Sequence, residues 1–294
     1  HERVFYEAVG KLVEEAKRPG YARLLAAWEA NNRNRFQEAM RLTAVQLATA
    51  AQDSQPIEEE EKSLVKSAMK AVGLAKTDRQ RQEKAMAQLV ERLNINIAST
   101  TTQLLKLHQL DPSSAAKVNA RVRENFSIRA PVDKAQAGLL GAVVSGAATG
   151  LSADLMAGGM TFGAGAILGG IVGALTMAGA AWGFNTTTDR NRTTMQFADE
   201  FMQSLMVTSV LRYLAVAHFG RGRGNFVESE APPFWQAEVE RAVALHAGQG
   251  LWQTLREEKD GTAARERIGT VVLNVTSDTL RALYPGGLPA GRQN

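Results

Sequence analysis

The sequence contains no cysteine, which excludes disulfide bonds, thiolate nucleophiles and cysteine-based metal sites. Proline is scarce, with 8 residues, and aromatic residues make up only 6% of the 294 positions. The charge balance is mild, since 34 Lys and Arg residues oppose 30 Asp and Glu residues. The basic residues are scattered and are not interleaved with aromatics, so we expect no nucleic-acid partner.

The short motifs that support catalysis are also missing. The sequence has no P-loop, no G-x-S-x-G nucleophile elbow and no H-E-x-x-H pair. The four histidines, His1, His108, His218 and His246, lack the spacing of metal ligands. We therefore expect a chain that is not itself an enzyme, with no catalytic residue, cofactor or metal site.

The prolines fall at junctions, and between them apolar residues recur at helical spacing. Strand patterns are nearly absent, because the one short candidate, Thr270–Val275, lies within a helical period. We therefore predict an all-α, multi-helix bundle, with a break at Pro19-Gly20. Its helices are expected at about 4–16, 21–51, 77–110, 189–218, 234–259 and 263–284.

The composition changes abruptly after Pro131. Between Ala135 and Thr188 the only charged side chain is Asp154. We interpret 131–188 as a hydrophobic hairpin that turns near Gly158-Gly159, with a second helix over Thr161–Phe184. Each arm has the ~20 residues that a helix needs to cross the ~30 Å hydrocarbon layer of a membrane. Residues 1–130 and 189–294 are then two helical regions that pack together.

Small residues recur every fourth position in this hairpin, which permits close approach of two helices, as in a glycine zipper. Trp182 lies at the end where an aromatic side chain suits the membrane interface. Arg and Lys residues flank both ends, which predicts that both ends are cytoplasmic. The predicted packing residues are Gly146, Gly150, Gly165, Gly169, Gly173, Gly179, Gly183 and Trp182. Burial of the same hairpin in the core of a soluble bundle is the open alternative.

A second cluster follows the helix that ends near His218. Arg221 and Arg223 stand between glycines, and Glu228 comes shortly after. These arginines are suited to a phosphate, a lipid headgroup or an acidic group of a partner. The alternative is a helix C-terminus with local Arg–Glu pairs.

Three blocks together resemble one family. They are LLAAWEANNRNRFQEAM (24–40), DLMAGGMTFGAG (154–165) and LRYLAVAHFGRGRGNFVESEAPPFW (211–235). The family is the uncharacterised helical domain found C-terminal to an Era-like GTP-binding domain in bacterial GTPases. The resemblance implies that GTP and Mg²⁺ bind to an upstream domain, which is consistent with a first residue that is not Met. It implies no catalytic residue in this chain.

We therefore expect a non-catalytic, membrane-associating effector domain on the cytoplasmic face of the bacterial inner membrane. Its expected partners are membrane lipid and its own N-terminal GTP-binding domain, whose nucleotide state it couples to anchoring or insertion. The glycine faces are also compatible with a homo-oligomer. Two alternatives remain open at this point: a soluble protein-interaction module, and a pore-forming protein with an insertable hairpin.

Overall fold

The computed structural model describes residues 2–57, 70–115, 118, 184–189, 192–219 and 234–285. The glycine-rich residues 131–183, together with residues 220–233 and 286–294, lie outside the described residues. The prediction of a helical hairpin over 131–183 therefore stays a prediction.

The described residues form an all-α, multi-helix fold with one small sheet, which confirms the predicted fold class. The helices are α1 (Glu2–Leu12), α2 (Arg18–Gln52), α3 (Lys70–Leu107), α4 (Asp199–Phe219), α5 (Phe234–His246), α6 (Leu251–Glu257) and α7 (Gly261–Leu283). The strands are β1 (Ser54–Pro56), β2 (Phe184–Asp189) and β3 (Arg192–Phe197). Short 3₁₀ turns occur at Glu15–Lys17 and Pro112–Ser114.

The core lies between the second half of α2, the second half of α3, and helices α4, α5 and α7. Leu47, Leu205 and Ile268 from three of these helices are fully buried, and each such side chain contributes about 2 kcal/mol through the hydrophobic effect. Helix α7 crosses α2 closely, because a Cβ placed on Gly269 would lie 3.7 Å from the Cβ of Ala44.

Helix α3 runs antiparallel to α2. Asn96 of α3 donates to the carbonyl of Gln46 over 3.3 Å, while Arg92, earlier in α3, binds Asp53, just beyond the end of α2. The first half of α2 therefore extends past the end of α3 and carries α1 with it. We call α1 together with residues 18–35 of α2 the N-terminal arm.

The sheet was not expected from the sequence. Strand β3 is central and pairs antiparallel with β2, from Phe184↔Phe197 to Asp189↔Arg192, and with β1, at Ser54↔Gln196. The helices predicted to end at Phe184 and to begin at Asp189 are therefore wrong at these residues. Threonines 186–188 favour extended backbone because they are β-branched, and here pairing with β3 decides the outcome.

Several helix boundaries also differ from prediction; α3, for example, begins at Lys70, whereas the sequence predicted a start at about 77. Helix α2 begins at Arg18 and includes Pro19-Gly20, because proline is compatible with the first turn of a helix, where its missing N–H costs nothing. The single helix predicted over 234–259 is divided into α5 and α6. Gly250 lies between them with φ at +80°, a left-handed conformation that ends regular helix geometry. The predicted helix end near residue 51 is confirmed, since α2 ends at Gln52, directly before Asp53.

Candidate interaction site at the base of the 220–233 loop

The fold brings three helix ends together, two of them on either side of residues 220–233, which the glycines and prolines of the sequence predict to be a loop. His218 lies in the last turn of α4, Trp235 in the first turn of α5, and Tyr284 directly after α7. Both ends of the loop are thus held at one place, which we call the loop base: His218, Trp235 and Tyr284.

The loop base is held by ring contacts and one hydrogen bond. The rings of His218 and Trp235 meet edge to face at 5.2 Å, and those of His218 and Tyr284 stack at 6.4 Å. The Tyr284 hydroxyl shares a 3.0 Å hydrogen bond with Nδ1 of His218. Trp235 is 2% exposed, whereas His218 is exposed. The described residues on both sides of 220–233 are therefore joined at one place, and Arg221 and Arg223 follow the exposed His218 in the sequence.

Of the four predicted residues of this cluster, the structure places His218. Arg221, Arg223 and Glu228 lie outside the described residues, as do Trp182 and all seven predicted packing glycines. Sequence reasoning missed Trp235 and Tyr284. The second of these is 66 positions from His218, so no local pattern could have joined the two.

A second polar cluster lies where the sheet meets α3. Arg92 donates through Nε and Nη2 to the carboxylate of Asp53 and through Nη1 to the side-chain oxygen of Gln55, over 2.8 to 2.9 Å at the closest contacts. The hydrogen bonds that Arg92 donates to Asp53 raise the pKa of Arg92. Beside this pair is a cavity of about 350 Å³ whose lining includes Leu93, Asn96 and Phe197. Because Asp53 balances the charge of Arg92, the cluster is suited to fastening β1 to α3.

A buried cation marks the middle of α4. Arg212 is 1% exposed, and burial lowers its pKa to about 10, so it remains charged at neutral pH. Nearby in sequence, Ser209 accepts a 3.0 Å hydrogen bond from Gln46, which links α4 to α2 through buried polar groups. The burial of Arg212 was not predicted because a charged side chain favours solvent, although its sequence neighbours are mostly apolar.

The described histidines have different environments. His246 lies 2.9 Å from Asp278, which also binds Arg281 at 3.1 Å, and these two partners lower the pKa of Asp278. His108 packs against Tyr213 at 6.0 Å. Within the part of the chain that the structure describes, no group of three His, Asp or Glu side chains is arranged to hold a metal ion. The same residues include no helix long and apolar enough to cross a membrane.

Comparison with known proteins gives one match. No curated protein and no solved structure is similar to this chain at a significant level. The model of a family described as "Domain of unknown function (DUF3482)" matches residues 1–282, which is nearly all of the sequence. The chain therefore belongs to the DUF3482 family.

Proposed function

We propose that this chain is a non-catalytic helical domain that associates with the bacterial inner membrane through residues 131–183. One observation carries the proposal: from Ala135 to Gly183 the sequence has a single charged side chain, Asp154, and small residues at four-residue spacing. Lys134 precedes this stretch and Arg190 follows it, so cationic residues flank both of its ends. Such flanks are typical of segments whose ends remain on the cytoplasmic side.

The helical body supports this proposal by holding the chain on both sides of the apolar segment. Val118, upstream of it, is fully buried in the core. Strand β2 begins at Phe184, directly after the segment, and pairs along its whole length with β3. The apolar segment is therefore connected to the helical body through β2 and its partner β3. Helix α4 begins two residues after β3 ends.

The link to a GTPase is a further part of the proposal. It depends on the resemblance of three sequence blocks to the domain that follows an Era-like GTP-binding domain in bacterial GTPases. GTP and Mg²⁺ would bind to that upstream domain, and this chain would couple its nucleotide state to membrane anchoring. The chain's own residues would then act by packing and binding, without a chemical step.

Flotation with lipid vesicles tests the membrane proposal. The full chain is mixed with vesicles of phosphatidylethanolamine and phosphatidylglycerol, and flotation is measured in high salt. We expect the wild type to float and Ile171→Asp to stay in the lower fractions. An aspartate near the centre of a membrane helix costs about 3 kcal/mol, which corresponds to roughly a 100-fold loss of partitioning.

The matched control is Ile95→Asp. Ile95 is 63% exposed on α3, so the same substitution there removes exposed apolar surface without touching residues 131–183. The control should float like the wild type, and circular dichroism should show equal helix content in all three proteins. A wild type that does not float, or three proteins that float equally, would contradict the proposal.

A soluble protein-interaction module is the second candidate, and one observation favours it. The loop base joins the described residues on either side of 220–233, and Arg221 and Arg223 lie within that segment of the sequence. A rigid support lowers the entropic cost of binding an acidic group of a partner. Failure of the wild type to float, in a chain that is stable without detergent, would favour this candidate.

A further inference from the structure

The cavity beside Arg92 lies between the end of α2 and the middle of α3, and we call it the α2–α3 cavity. Its volume of about 350 Å³ is at the lower end of the range for small-molecule pockets. Its floor is apolar, because Ala50, Leu93 and Phe197 line it and each is at most 3% exposed. The polar residues that line it are Thr49, Gln52, Asp53, Arg92 and Asn96.

The polar residues form two ends of the cavity that differ in charge. On each helix the two residues concerned are four positions apart, which places them about 6 Å apart along the helix axis. Because the helices are antiparallel, Arg92 of α3 meets Asp53 of α2 at one end. At the other end, Asn96 binds the carbonyl of Gln46 and lies towards Thr49. One end is therefore an ion pair and the other end is uncharged.

Contacts within the chain hold these side chains in place and leave hydrogen-bonding groups unused. Arg92 places three of its five N–H groups on Asp53 and Gln55, so two remain. The amide of Asn96 places one N–H on the Gln46 carbonyl over 3.3 Å. Within the described part of the chain, its oxygen, its second N–H and the hydroxyl of Thr49 make no hydrogen bond. Groups that are already fixed lose little entropy when a ligand binds.

The charges of the cavity are balanced, which restricts the ligand that fits. The carboxylate of Asp53 accepts hydrogen bonds from Nε and Nη2 of Arg92, the closest of them over 2.8 Å. An anion placed at Arg92 would also meet this carboxylate, and a cation would meet the guanidinium. An uncharged acceptor can use the two remaining N–H groups of Arg92 without separating the pair.

We propose that the α2–α3 cavity binds a flat, uncharged heteroaromatic ring with hydrogen-bonding atoms on two separate edges. The faces of the ring lie against the apolar floor at Leu93 and Phe197. A ring nitrogen accepts a hydrogen bond from Arg92 at one end. A carboxamide at the other end pairs with the amide of Asn96 and the hydroxyl of Thr49. A single six-membered ring with one such substituent spans the two ends.

Three probe molecules test the proposed chemistry. Nicotinamide has a ring nitrogen and a carboxamide and is uncharged at neutral pH, benzamide lacks the ring nitrogen, and nicotinate has a carboxylate in place of the carboxamide. Methyl signals of Leu93 are followed by NMR of the full chain, with Leu245, outside the cavity, as the internal reference. We expect nicotinamide to shift the Leu93 signals saturably with a Kd of about 1 mM, in line with so small a ligand. Benzamide and nicotinate should bind at least about 5-fold more weakly, since each loses one favourable contact.

Two variants test the assigned residues. Thr49→Val keeps the shape of an exposed side chain, removes its hydroxyl and should weaken nicotinamide binding about 5-fold. Asn96→Leu removes the amide and should abolish the saturable shift. The matched control is Thr270→Val, at an exposed position of α7 whose hydroxyl binds within its own helix, and it should bind like the wild type. Circular dichroism should show equal helix content in all four proteins, and Thr49→Val decides alone if Asn96→Leu loses helix.

Three results would overturn the proposal. They are a wild type with no saturable shift of the Leu93 signals, equal nicotinamide binding by the wild type and Thr49→Val, and tighter binding of nicotinate than of nicotinamide. The last of these would assign the cavity to anions. Because the titrations contain no lipid, their results are independent of the membrane proposal.

Discussion

Arg212 shows how a single residue can be buried although its charge favours solvent. It lies in the apolar segment LRYLAVAHF, and its guanidinium is fully buried in the core of the helical body. Burial lowers its pKa to about 10, so the core contains a positive charge at neutral pH. A buried charge is costly unless polar groups around it compensate for the loss of water.

Asp278 gives a pH-dependent prediction at the same scale. Its pKa in the folded chain is lowered by the hydrogen bond from His246, with Arg281 adding to the effect. Because the folded pKa is below the unfolded value of about 3.9, the stabilisation is present above that pH and is lost as the pH falls through the folded pKa. Asp278→Asn should lower the free energy of unfolding at pH 7 by up to about 1 kcal/mol, since the pair is partly exposed.

The measurement is urea unfolding of the wild type and Asp278→Asn at pH 7 and at a pH below the folded pKa. The difference between the two proteins should shrink at the lower pH. Glu266→Gln, an exposed substitution on the same helix, serves as the control and should change stability little. An Asp278→Asn deficit that stays constant with pH would show that its charge is not the cause.

Among the structural elements, the break between α5 and α6 depends on one glycine. Gly250 has φ at +80°, a conformation that costs other residues about 1 kcal/mol, although space for a side chain is open around it. Gly250→Ala should therefore lower the free energy of unfolding by about 1 kcal/mol, measured by urea unfolding. Gly248→Ala is the matched control, since its surroundings are equally open and its φ is not in the left-handed region. Gly248→Ala should be neutral or slightly stabilising, because it reduces the entropy of the unfolded chain.

The small sheet shows why some elements could not be predicted locally. Strand β1 contains only Ser54–Pro56, where the sequence shows no more than the end of a helix. It becomes a strand because it pairs with β3, which lies more than a hundred positions later in the chain. The side chain of Arg92 also holds Asp53 and Gln55 in place. Ladder hydrogen bonds to a distant segment leave no periodic pattern in so short a stretch.

Across the whole molecule, stability should be unevenly distributed along a single helix. Residues 39–52 of α2 lie in the core, whereas residues 18–35 belong to the N-terminal arm, where nothing is buried. At low micromolar concentration, amide hydrogen exchange in 18–35 should be at least about 100-fold faster than in 39–52. Helix α7, with Val272 and Val275 fully buried, is the internal reference for slow exchange. Equal protection along all of α2 would contradict this expectation.

The candidate site was predictable in part. His218 and the loop that follows it stand out in the sequence because arginines alternate with glycines there. The support of that loop was not predictable, since Trp235 and Tyr284 begin and end other helices and look like ordinary amphipathic positions. The proposed function depends on residues 131–183, where charge and glycine spacing are properties of the sequence alone.

The sequence by itself determined the all-α class, the end of α2 at Asp53, the absence of cysteine chemistry and the extent of the apolar segment. These features follow from composition, helical periodicity and turn residues, which act over a few positions. The tertiary structure alone decided the β1–β3–β2 sheet, the burial of Arg212, the loop base and the α2–α3 cavity. Each of these depends on which distant segments come into contact, and packing of the whole chain sets those contacts.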